Sequence, residues 1–430
     1  MTAKTPPYAG MQTYYAASAT PAPERETLTS NIHCDACIIG AGFTGLSVGL
    51  ELAEAGKSVV ILEDHRIGWG ASGRNGGQLI NGYSRSLKVI GKRYGPGAER
   101  ALGDMALEGS DIIRARVKKY AIDCDLVDGG VVTALTAKHM RDLEEHADEW
   151  HRHGHGAPYV IDKAALQKMV SSDRYVGAMV DPRSGHFHPL NYLLGEAAAF
   201  ESLGGRIYEH SRALRIEEGA TPAVHTANGK VTADTIIVCG NAYLGSTVPK
   251  LTARIMPVSS QVIATEPLGD LARELIPENH RVEDANYILD YFRRTADGRI
   301  LYGGGAVYGG LDPISIEAKI RPNMLKTFPQ LKNARIDFAW SGNFALTLSR
   351  IPQIGRLTPN IYFSHGDSGH GVTTTQLLGR LVAEAICGDT GRFDHFANLP
   401  YFPFPGGRLL RVPFSTLGSW YYIACDRLGL

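Results

Sequence analysis

A glycine-rich turn directly after an apolar run has the residue types and spacing that hold a dinucleotide. The turn reads Gly40-Ala41-Gly42-Phe43-Thr44-Gly45, it follows the apolar run 36–39, and Glu63 closes the next apolar run at 59–62. Gly40 permits a tight turn, Gly42 lets backbone approach a pyrophosphate, and Gly45 lets helix and strand pack closely. The helix N-terminus offers unpaired N–H groups to the phosphates. Glu63 would accept hydrogen bonds from a ribose hydroxyl.

Two further segments could bring backbone and donors to the same ligand. The first is Gly70-Ala71-Ser72-Gly73-Arg74-Asn75-Gly76-Gly77-Gln78, in which the side chains at 72, 74 and 75 supply donors. The second is the apolar run 233–239 followed by Gly240-Asn241-Ala242, which reads as a buried strand ending at the ligand edge of an open sheet. A flexible surface loop is the alternative for the first segment, and an ordinary strand and turn for the second.

A fourth segment, Gly366 to Thr375, places another glycine loop before a helix. It contains Gly369-His370-Gly371-Val372-Thr373 and follows the strand pattern 361–364. The helix N-terminus there suits an anion. That anion is either a second phosphate or, better, the pyrimidine edge of a flavin ring, which becomes negative on reduction and gains up to about 2 kcal/mol from a helix dipole. His365 and His370 are candidate donors to the ring or the substrate, or structural histidines.

Composition limits the classes of protein and site to be considered. The 430 residues predict two domains, and the 44 basic residues balance the 44 acidic ones, which argues against a nucleic-acid binder. No signal peptide and no membrane-spanning run is visible, so we expect a soluble cytoplasmic protein. Cys34 and Cys37 have redox spacing but enter a strand, so we interpret them as buried packing residues. His151, His153 and His155 lack a cysteine or acid to complete a metal site, and we predict no metal.

The elements that must position these motifs follow from periodicity and turn residues. Helices are expected at about 97–119, 137–152, 189–203 and 371–386, the last of these being the final helix, and strands at about 131–135, 206–216 and 222–239. Residues 1–30 read as an irregular arm packed through Tyr14 and Tyr15. The segment 257–349 reads as strands with few helices. Gly303-Gly304-Gly305 follows a strand but opens no helix, so we reject a second dinucleotide site there.

Together these motifs resemble the FAD-dependent glycine/D-amino acid oxidase superfamily, and within it the enzymes that act on γ-glutamylated amines. The segments that carry the resemblance span most of the chain: Tyr14 to Ala19, Gly40 to Ser47, Gly70 to Gln78, Asp128 to Val131, Ile351 to Leu357, and Ser368 to Val372. The glycine turn is generic, whereas the blocks at Gly70 and Gly369 are specific in combination.

The resemblance implies an α/β fold with a discontinuous Rossmann-like FAD-binding domain and an antiparallel-sheet (α+β) substrate domain over the flavin. We expect a 1–30 arm, an FAD-binding domain of 31–85, 186–250 and 350–392, a substrate domain of 86–185 and 251–349, and a C-terminal segment 393–430. Some relatives attach flavin through a cysteine after the last substrate-domain strand. The corresponding stretch, Trp340 to Phe344, has none, so we expect non-covalent FAD.

The implied activity is oxidation of a primary amine, γ-glutamylputrescine or a related γ-glutamylated polyamine, to the aldehyde with ammonia and hydrogen peroxide. The substrate amine, with an ordinary pKa of about 10.4, becomes neutral more easily in an apolar pocket, so no dedicated base is required. A γ-glutamyl carboxylate calls for an arginine. Arg293 and Arg350 are the principal candidates, with Arg74 and Arg294 as others. Each is also readily explained as a structural or surface arginine.

Three alternatives to this activity stay open at the level of sequence. One is an oxidase of another amine or a D-amino acid. Another is a dehydrogenase that passes electrons to a quinone instead of molecular oxygen, with Trp420, Tyr421 and Tyr422 as a membrane contact, although packing of these aromatics on the protein body is commoner. The last is a flavin-binding protein without catalytic activity.

Overall fold

The structure, a computed structural model, describes residues 11–428 and is built on two β-sheets. The strands are β1 (Ile32–Ile39), β2 (Val59–Leu62), β3 (Gln78–Leu79), β4 (Val127–Ala134), β5 (Tyr159–Asp162), β6 (Gly177–His186), β7 (Arg206–Tyr208), β8 (Arg215–Glu217), β9 (Ala223–His225), β10 (Lys230–Val238), β11 (Met256–Thr265), β12 (Arg281–Asp284), β13 (Asp290–Arg294), β14 (Ile300–Tyr308), β15 (Ile336–Leu346), β16 (Gln353–Thr358) and β17 (Ile361–His365).

Helices cover the faces of both sheets. They are α1 (Tyr14–Ser18), α2 (Phe43–Glu54), α3 (Leu87–Tyr94), α4 (Pro96–Met105), α5 (Glu108–Lys119), α6 (Ala137–Arg152), α7 (Lys163–Leu166), α8 (Pro189–Ser202), α9 (Pro249–Thr252), α10 (Asp270–Leu275), α11 (Ile316–Thr327), α12 (Gly371–Ile386), α13 (Gly391–Ala397) and α14 (Gly407–Leu428), with short 3-10 helices at Ala71–Gly73, Asn241–Tyr243 and Pro329–Asn333.

The first sheet has the strand order β16-β17-β10-β1-β2-β7, with β9 and β8 attached to β10. Its strands from β17 to β7 run parallel, and Ile38 is paired with Ile61 on one side and with Ile237 on the other. Both faces of this sheet are buried, with Ile38 and Ile61 in one hydrophobic cluster and Cys37 and Val60 in another, so its strands are apolar without alternation; β2 is buried at all four positions. The predicted α/β sheet is therefore confirmed.

Helix α2 follows the glycine turn and ends where the sequence predicts. Gly56 adopts a left-handed φ of +79°, the Gly56 N–H donates to Ala53 O, and the Lys57 N–H donates to Leu52 O. This pair of bonds is a Schellman motif, which satisfies carbonyls at the helix end. Helix α2 packs against α8 and α12 on one face of the first sheet, so the turn before α2 is held by a large buried core.

The second sheet is mixed and mostly antiparallel, in the order β15-β11-β14-β13-β12-β4-β6-β3, with β5 attached to β6. The exception is β12, which runs parallel to β4. Helix α11 covers one face of this sheet through Ile320, Met324 and Phe328, which pack with Phe292 and Tyr302. The opposite face, at β11, β14 and β15, lines the cavity described below.

Several element predictions are confirmed and others differ from the structure: the helix predicted at 97–119 is interrupted between α4 and α5, and the strand region 206–216 is regular only in β7 and at the start of β8. The predicted helices at 137–152 and 371–386 agree with α6 and α12, and Tyr14 and Tyr15 of the arm are buried. Helix α12 is not the final helix, because α13 and α14 follow it. The prolines of the C-terminal segment argued against a helix there, yet α14 contains Pro413. Helix α1 gives the arm one regular turn. Gly303–Gly305 lies inside β14 instead of after a strand.

The structure bears on the predictions about the paired cysteines and about membrane-spanning segments, but not on the predicted domain limits. Cys34 and Cys37 are buried in β1 as free thiols, in agreement with their interpretation as packing residues. Within residues 11–428 no helix is long and apolar enough to cross a bilayer. Residues 1–10 of the predicted arm and the side chain of Tyr422 lie outside what the structure describes. The four-part domain division stays a prediction.

Candidate functional site

A cavity of about 550 Å³ lies between the carboxyl ends of the parallel strands and the open face of the second sheet. The first sheet contributes the turn after β1, Glu63 after β2 and Gly240 after β10. Parallel strands bring their carboxyl ends to one edge, which is where open α/β sheets bind ligands. The four glycine-rich segments singled out in the sequence all contribute residues to this cavity.

The glycine turn has the tight backbone that its spacing predicts. Gly40 has φ +104°, and a Cβ on Gly45 would overlap the carbonyl oxygen of Gly40. Gly42 is the N-cap of α2 and has no side chain with which to cap that helix. Ser72 Oγ from the neighbouring loop accepts the first of the helix N–H groups, that of Phe43, and the backbone N–H groups that follow it at the start of α2 are left for the cavity edge.

Glu63 is a buried carboxylate at the cavity wall. It accepts hydrogen bonds from Ala41 N at 2.8 Å and His65 N at 3.0 Å. Burial raises the pKa of the Glu63 carboxyl, and these two donors oppose the rise. Each carboxylate oxygen has more than one lone pair, so the group can still accept from a ribose hydroxyl.

The Gly70–Gln78 loop uses most of its side-chain donors to hold its own shape. Ser72 Oγ accepts from Phe43 N at 3.0 Å, and Asn75 Nδ2 donates to Ala71 O and Ser72 O. Arg74 Nε donates to Trp69 O at 2.7 Å. The loop therefore approaches the cavity mainly with backbone, while Ala71, Gly76 and Gln78 line the wall.

The start of α12 gives the cavity a second uncapped helix N-terminus. Its N-cap is His370, no side chain caps it, and Gly369, Gly371, Val372 and Thr375 line the cavity. Nearby, Asn241 Nδ2 donates to the Asp367 carboxylate at 3.2 Å and Asn241 Oδ1 accepts from Gly366 N at 2.9 Å. Burial raises the pKa of Asp367 to about 6, against the donors around it.

These features fit a flavin dinucleotide. Two uncapped helix N-termini suit its pyrophosphate and the edge of its ring that gains negative charge, and the buried acceptor Glu63 suits a ribose. His370 Nδ1 is buried without a hydrogen-bond partner among the described residues, and burial lowers the pKa of this histidine. A neutral imidazole there has a hydrogen-bonding position free for a bound ring.

The resemblance implies an antiparallel sheet over the flavin, but the individual residues of the cavity wall opposite the dinucleotide turns were not predicted from sequence. Alternate residues of three strands face the cavity, namely Val258, Ser260 and Val262 of β11, Gly304, Ala306 and Tyr308 of β14, and Gly342, Phe344 and Leu346 of β15. Tyr291 of β13 is also buried there, and burial raises its pKa to about 12. Side chains alternate between the two faces of each strand with a period of two residues, and this alternation is the sequence pattern from which the wall could have been identified.

Arg350 is the one predicted substrate arginine that the structure brings to this wall. It has a left-handed φ of +63°, and it donates to Tyr287 Oη at 2.9 Å. No carboxylate of the described residues lies within 4 Å of its guanidinium. Arg350 therefore presents to the cavity a cation that Tyr287 orients and that has no carboxylate partner among the described residues.

The other three arginines have different surroundings. Arg293 is 2 % exposed and donates to Gly76 O at 2.8 Å and Phe187 O at 3.1 Å, so it braces the loop behind the cavity and does not line it. Arg294 also lies off the cavity and donates to Ile276 O. Arg74 lines the cavity but braces Trp69. The prediction that Arg293 binds the substrate is therefore corrected, because Arg293 does not line the cavity.

Four further predicted site residues do not line the cavity. His365 donates to Gln353 Oε1 at 2.9 Å inside the first sheet, and burial lowers its pKa to about 3, so it is a structural histidine. Thr373 donates to Ile80 O, and Thr375, which was not predicted, lines the wall instead. Gly45 and Gly77 do not line the wall either, and instead allow the close backbone packing behind it. Among the described residues no cluster of histidine, cysteine or acid is arranged for a metal.

The chain is similar to known proteins both in sequence and in fold. The profile of the DAO family, described as FAD dependent oxidoreductase, matches residues 35–385. The chain is 55 % identical over 419 residues to gamma-glutamylputrescine oxidoreductase of Escherichia coli (strain K12), covering 97 % of this chain and 98 % of that protein. It is 43 % identical to a probable oxidoreductase, OrdL, of Haemophilus influenzae, covering 93 % and 94 %. The glycine oxidase structure from Geobacillus kaustophilus superposes with a TM-score of 0.73 at 23 % identity, covering 86 % and 98 %.

Proposed function

The chain belongs to the DAO family of FAD-dependent oxidoreductases, and from that premise we propose that it oxidises the primary amine of γ-glutamylputrescine. The products are the γ-glutamylated aldehyde, ammonia and hydrogen peroxide, with molecular oxygen as the electron acceptor. The support is identity of 55 % to gamma-glutamylputrescine oxidoreductase over nearly the whole of both chains, together with a cavity that offers a cation and apolar walls to an amine carrying a carboxylate.

Bound FAD supplies the two-electron acceptor for the carbon that bears the amine. The protein contributes the binding groups: the start of α2 and Glu63 on the dinucleotide side, and the start of α12 at the other end. His370, kept neutral by burial, offers a hydrogen bond without adding a positive charge. We propose that FAD is held without a covalent bond, because β15 carries no cysteine.

Arg350 is our proposed anchor for the α-carboxylate of the γ-glutamyl group. Its guanidinium lies at the cavity wall without a carboxylate partner among the residues described, and Tyr287 fixes its direction. A charge-assisted, bidentate arginine–carboxylate contact is among the stronger hydrogen-bonded contacts. Free putrescine has no carboxylate and cannot use this anchor.

The walls between Arg350 and the dinucleotide turns suit the four-carbon chain and the neutral amine. Tyr291, Tyr308 and Phe344 present rings, and Val262 presents a methyl surface. Transfer of an alkylammonium group into such surroundings disfavours its charged form and lowers its pKa. The amine can therefore lose its proton on entry, so no dedicated base is needed.

The observation that carries this proposal is the guanidinium of Arg350 on the cavity wall, which has no carboxylate partner among the described residues. It is tested by measuring peroxide release and oxygen uptake by purified protein with γ-glutamylputrescine, putrescine, γ-glutamylated spermidine and D-amino acids. We expect γ-glutamylputrescine to have the highest kcat/KM and putrescine to be at least tenfold poorer. Equal rates for these two amines would contradict the anchor. Turnover only with an artificial acceptor would identify a dehydrogenase instead.

We place this reaction in the cytoplasm.

A further inference from the structure

A second, smaller cavity adjoins the first on the far side of His370. Its volume is about 210 Å³, and it shares Ile80, Ser84, Glu283 and His370 with the main cavity. We name it the side chamber. Its remaining wall comes from the loop after β3, from α6 and from β4 and β6, and includes Asn81, Asp181 and Trp150.

The side chamber offers acceptors that the protein itself leaves unused. Asn81 is 8 % exposed, and its Nδ2 donates to Asp181 Oδ2 at 2.9 Å. A carboxylate can only accept, so the Asn81 amide must turn its nitrogen to Asp181, which leaves Asn81 Oδ1 as a buried acceptor without a partner among the described residues. Leaving a buried acceptor unpaired is unfavourable, which favours a ligand that donates hydrogen bonds.

The charge left without a partner at the side chamber is a carboxylate. Its acids are Asp181, Glu283 and Glu149 and its arginines are Arg85 and Arg281, and Glu149 is paired with His146 at 3.5 Å. Arg281 lies 2.9 Å from Glu283 and donates to Ser184 Oγ, so its charge is matched within the wall. Asp181 has no cation within 4 Å among the described residues. Trp150 adds an aromatic ring of the kind that attracts ammonium groups.

We propose that the side chamber binds an ammonium ion, the nitrogen product of the reaction, beside the site where it is released. The identity of the ion as a product rests on the proposed function. Hydrolysis of the product imine replaces the C=N bond by C=O with the oxygen of water, and the nitrogen departs as ammonia, which takes up a proton. Ammonium carries four donors and no acceptor, which complements Asn81 Oδ1 and the Asp181 carboxylate.

The proposal is tested by calorimetric titration of the flavin-loaded enzyme, without substrate, with methylammonium chloride against sodium chloride. We expect methylammonium to bind, and Asp181→Asn and Asn81→Ala each to weaken that binding at least tenfold. Asp142→Asn, at an exposed position of α6, is the matched control and should change it less than twofold. The two variants remove the charge and the free acceptor separately, so a folding defect in one leaves the other as a test.

Kinetics give a second measurement. Ammonium chloride should inhibit peroxide release by the wild-type enzyme, and Asp181→Asn should relieve this inhibition at least fivefold. Methylammonium binding that survives both substitutions would place the cation in the main cavity and overturn the proposal, as would equal heats for methylammonium and sodium. The calorimetric result does not depend on which amine is oxidised, so failure of the γ-glutamylputrescine assay leaves it interpretable.

Discussion

The guanidinium of Arg350 donates a hydrogen bond to the hydroxyl of Tyr287 at 2.9 Å, and both side chains line the same cavity. Tyr287 lies in the five-residue loop 285–289, between β12 and β13, and Arg350 follows β15. Two segments that are 63 positions apart in the chain therefore meet at the cavity wall, where one fixes the direction of the other's charge.

Replacing Arg350 should affect substrate affinity more than turnover. Arg350→Gln should raise KM for γ-glutamylputrescine roughly 10- to 100-fold, because a hydrogen bond to a charged group contributes about 1.5–3 kcal/mol. The rate with putrescine should stay unchanged. Steady-state peroxide assays measure both. Arg294→Gln, at a position off the cavity, is the control, and equal KM changes in the two variants would exclude Arg350 as the anchor.

Adding one methyl group to the glycine turn should remove the flavin. Gly45→Ala places a Cβ against the carbonyl oxygen of Gly40, so backbone must shift at the turn that we propose to bind the pyrophosphate. We expect loss of bound flavin absorbance and destabilisation of about 1–3 kcal/mol, as for overpacked cores. Gly97→Ala, where a Cβ has open space near the start of α4, should bind flavin as the wild type does. A yellow Gly45→Ala protein of normal Tm would contradict this.

The loop that carries Tyr287 is tied to a titrating carboxyl. Asp284 accepts from Asn286 N and Asp290 N, both at 3.2 Å. Burial, followed by the nearby Asp290, raises the pKa of Asp284 to about 7, while Arg174 opposes the rise. The folded protein therefore holds a proton that the unfolded chain, with a pKa near 3.9, has lost between about pH 4 and pH 7.

Stability should accordingly fall as pH rises through this window. The full shift of about three pKa units corresponds to at most about 4 kcal/mol of unfolding free energy. Asp284→Asn should flatten the change between pH 4.5 and pH 8, measured by urea unfolding of the holoenzyme. Asp142→Asn should keep the wild-type slope. A wild-type slope in Asp284→Asn would assign the proton to another group.

Flavin should leave the protein on acid precipitation. The described cysteine that lines the cavity is Cys239, and burial raises the pKa of its thiol, so the nucleophilic thiolate is disfavoured. We expect free FAD in the supernatant from both wild type and Cys239→Ala. Flavin that stays in the wild-type pellet and is released from Cys239→Ala would demonstrate a covalent bond.

The dinucleotide side was predictable because its information is local. Strand, turn, helix and acid occupy consecutive positions from 36 to 63, and Gly45 meets a steric demand set by the carbonyl oxygen of Gly40 only five positions earlier. The loop at Gly70–Gln78 lies at the cavity, where Asn75, predicted as a donor, donates to Ala71 O and Ser72 O, while Ser72 Oγ accepts from Phe43 N and keeps its own hydroxyl donor.

The substrate side was not predictable because its information is long-range. Arg293 and Arg350 are equivalent as residue types, and only the tertiary structure turns Arg293 toward the carbonyls of Gly76 and Phe187. The cavity-facing residues of β11, β14 and β15 share no sequence motif. Their common property is that they lie on the face of each strand that is turned toward the cavity. Register between distant strands decides that face.

The chain order of the strands has a consequence for biosynthesis. The first sheet begins with β1 near residue 32 and receives β17 only at residue 361, while β4 finds its parallel partner β12 nearly 150 positions later. Strand pairs whose members are so far apart in the sequence form slowly during folding. A ribosome must therefore translate most of the message before either sheet can close, and early strands stay exposed to chaperones until then.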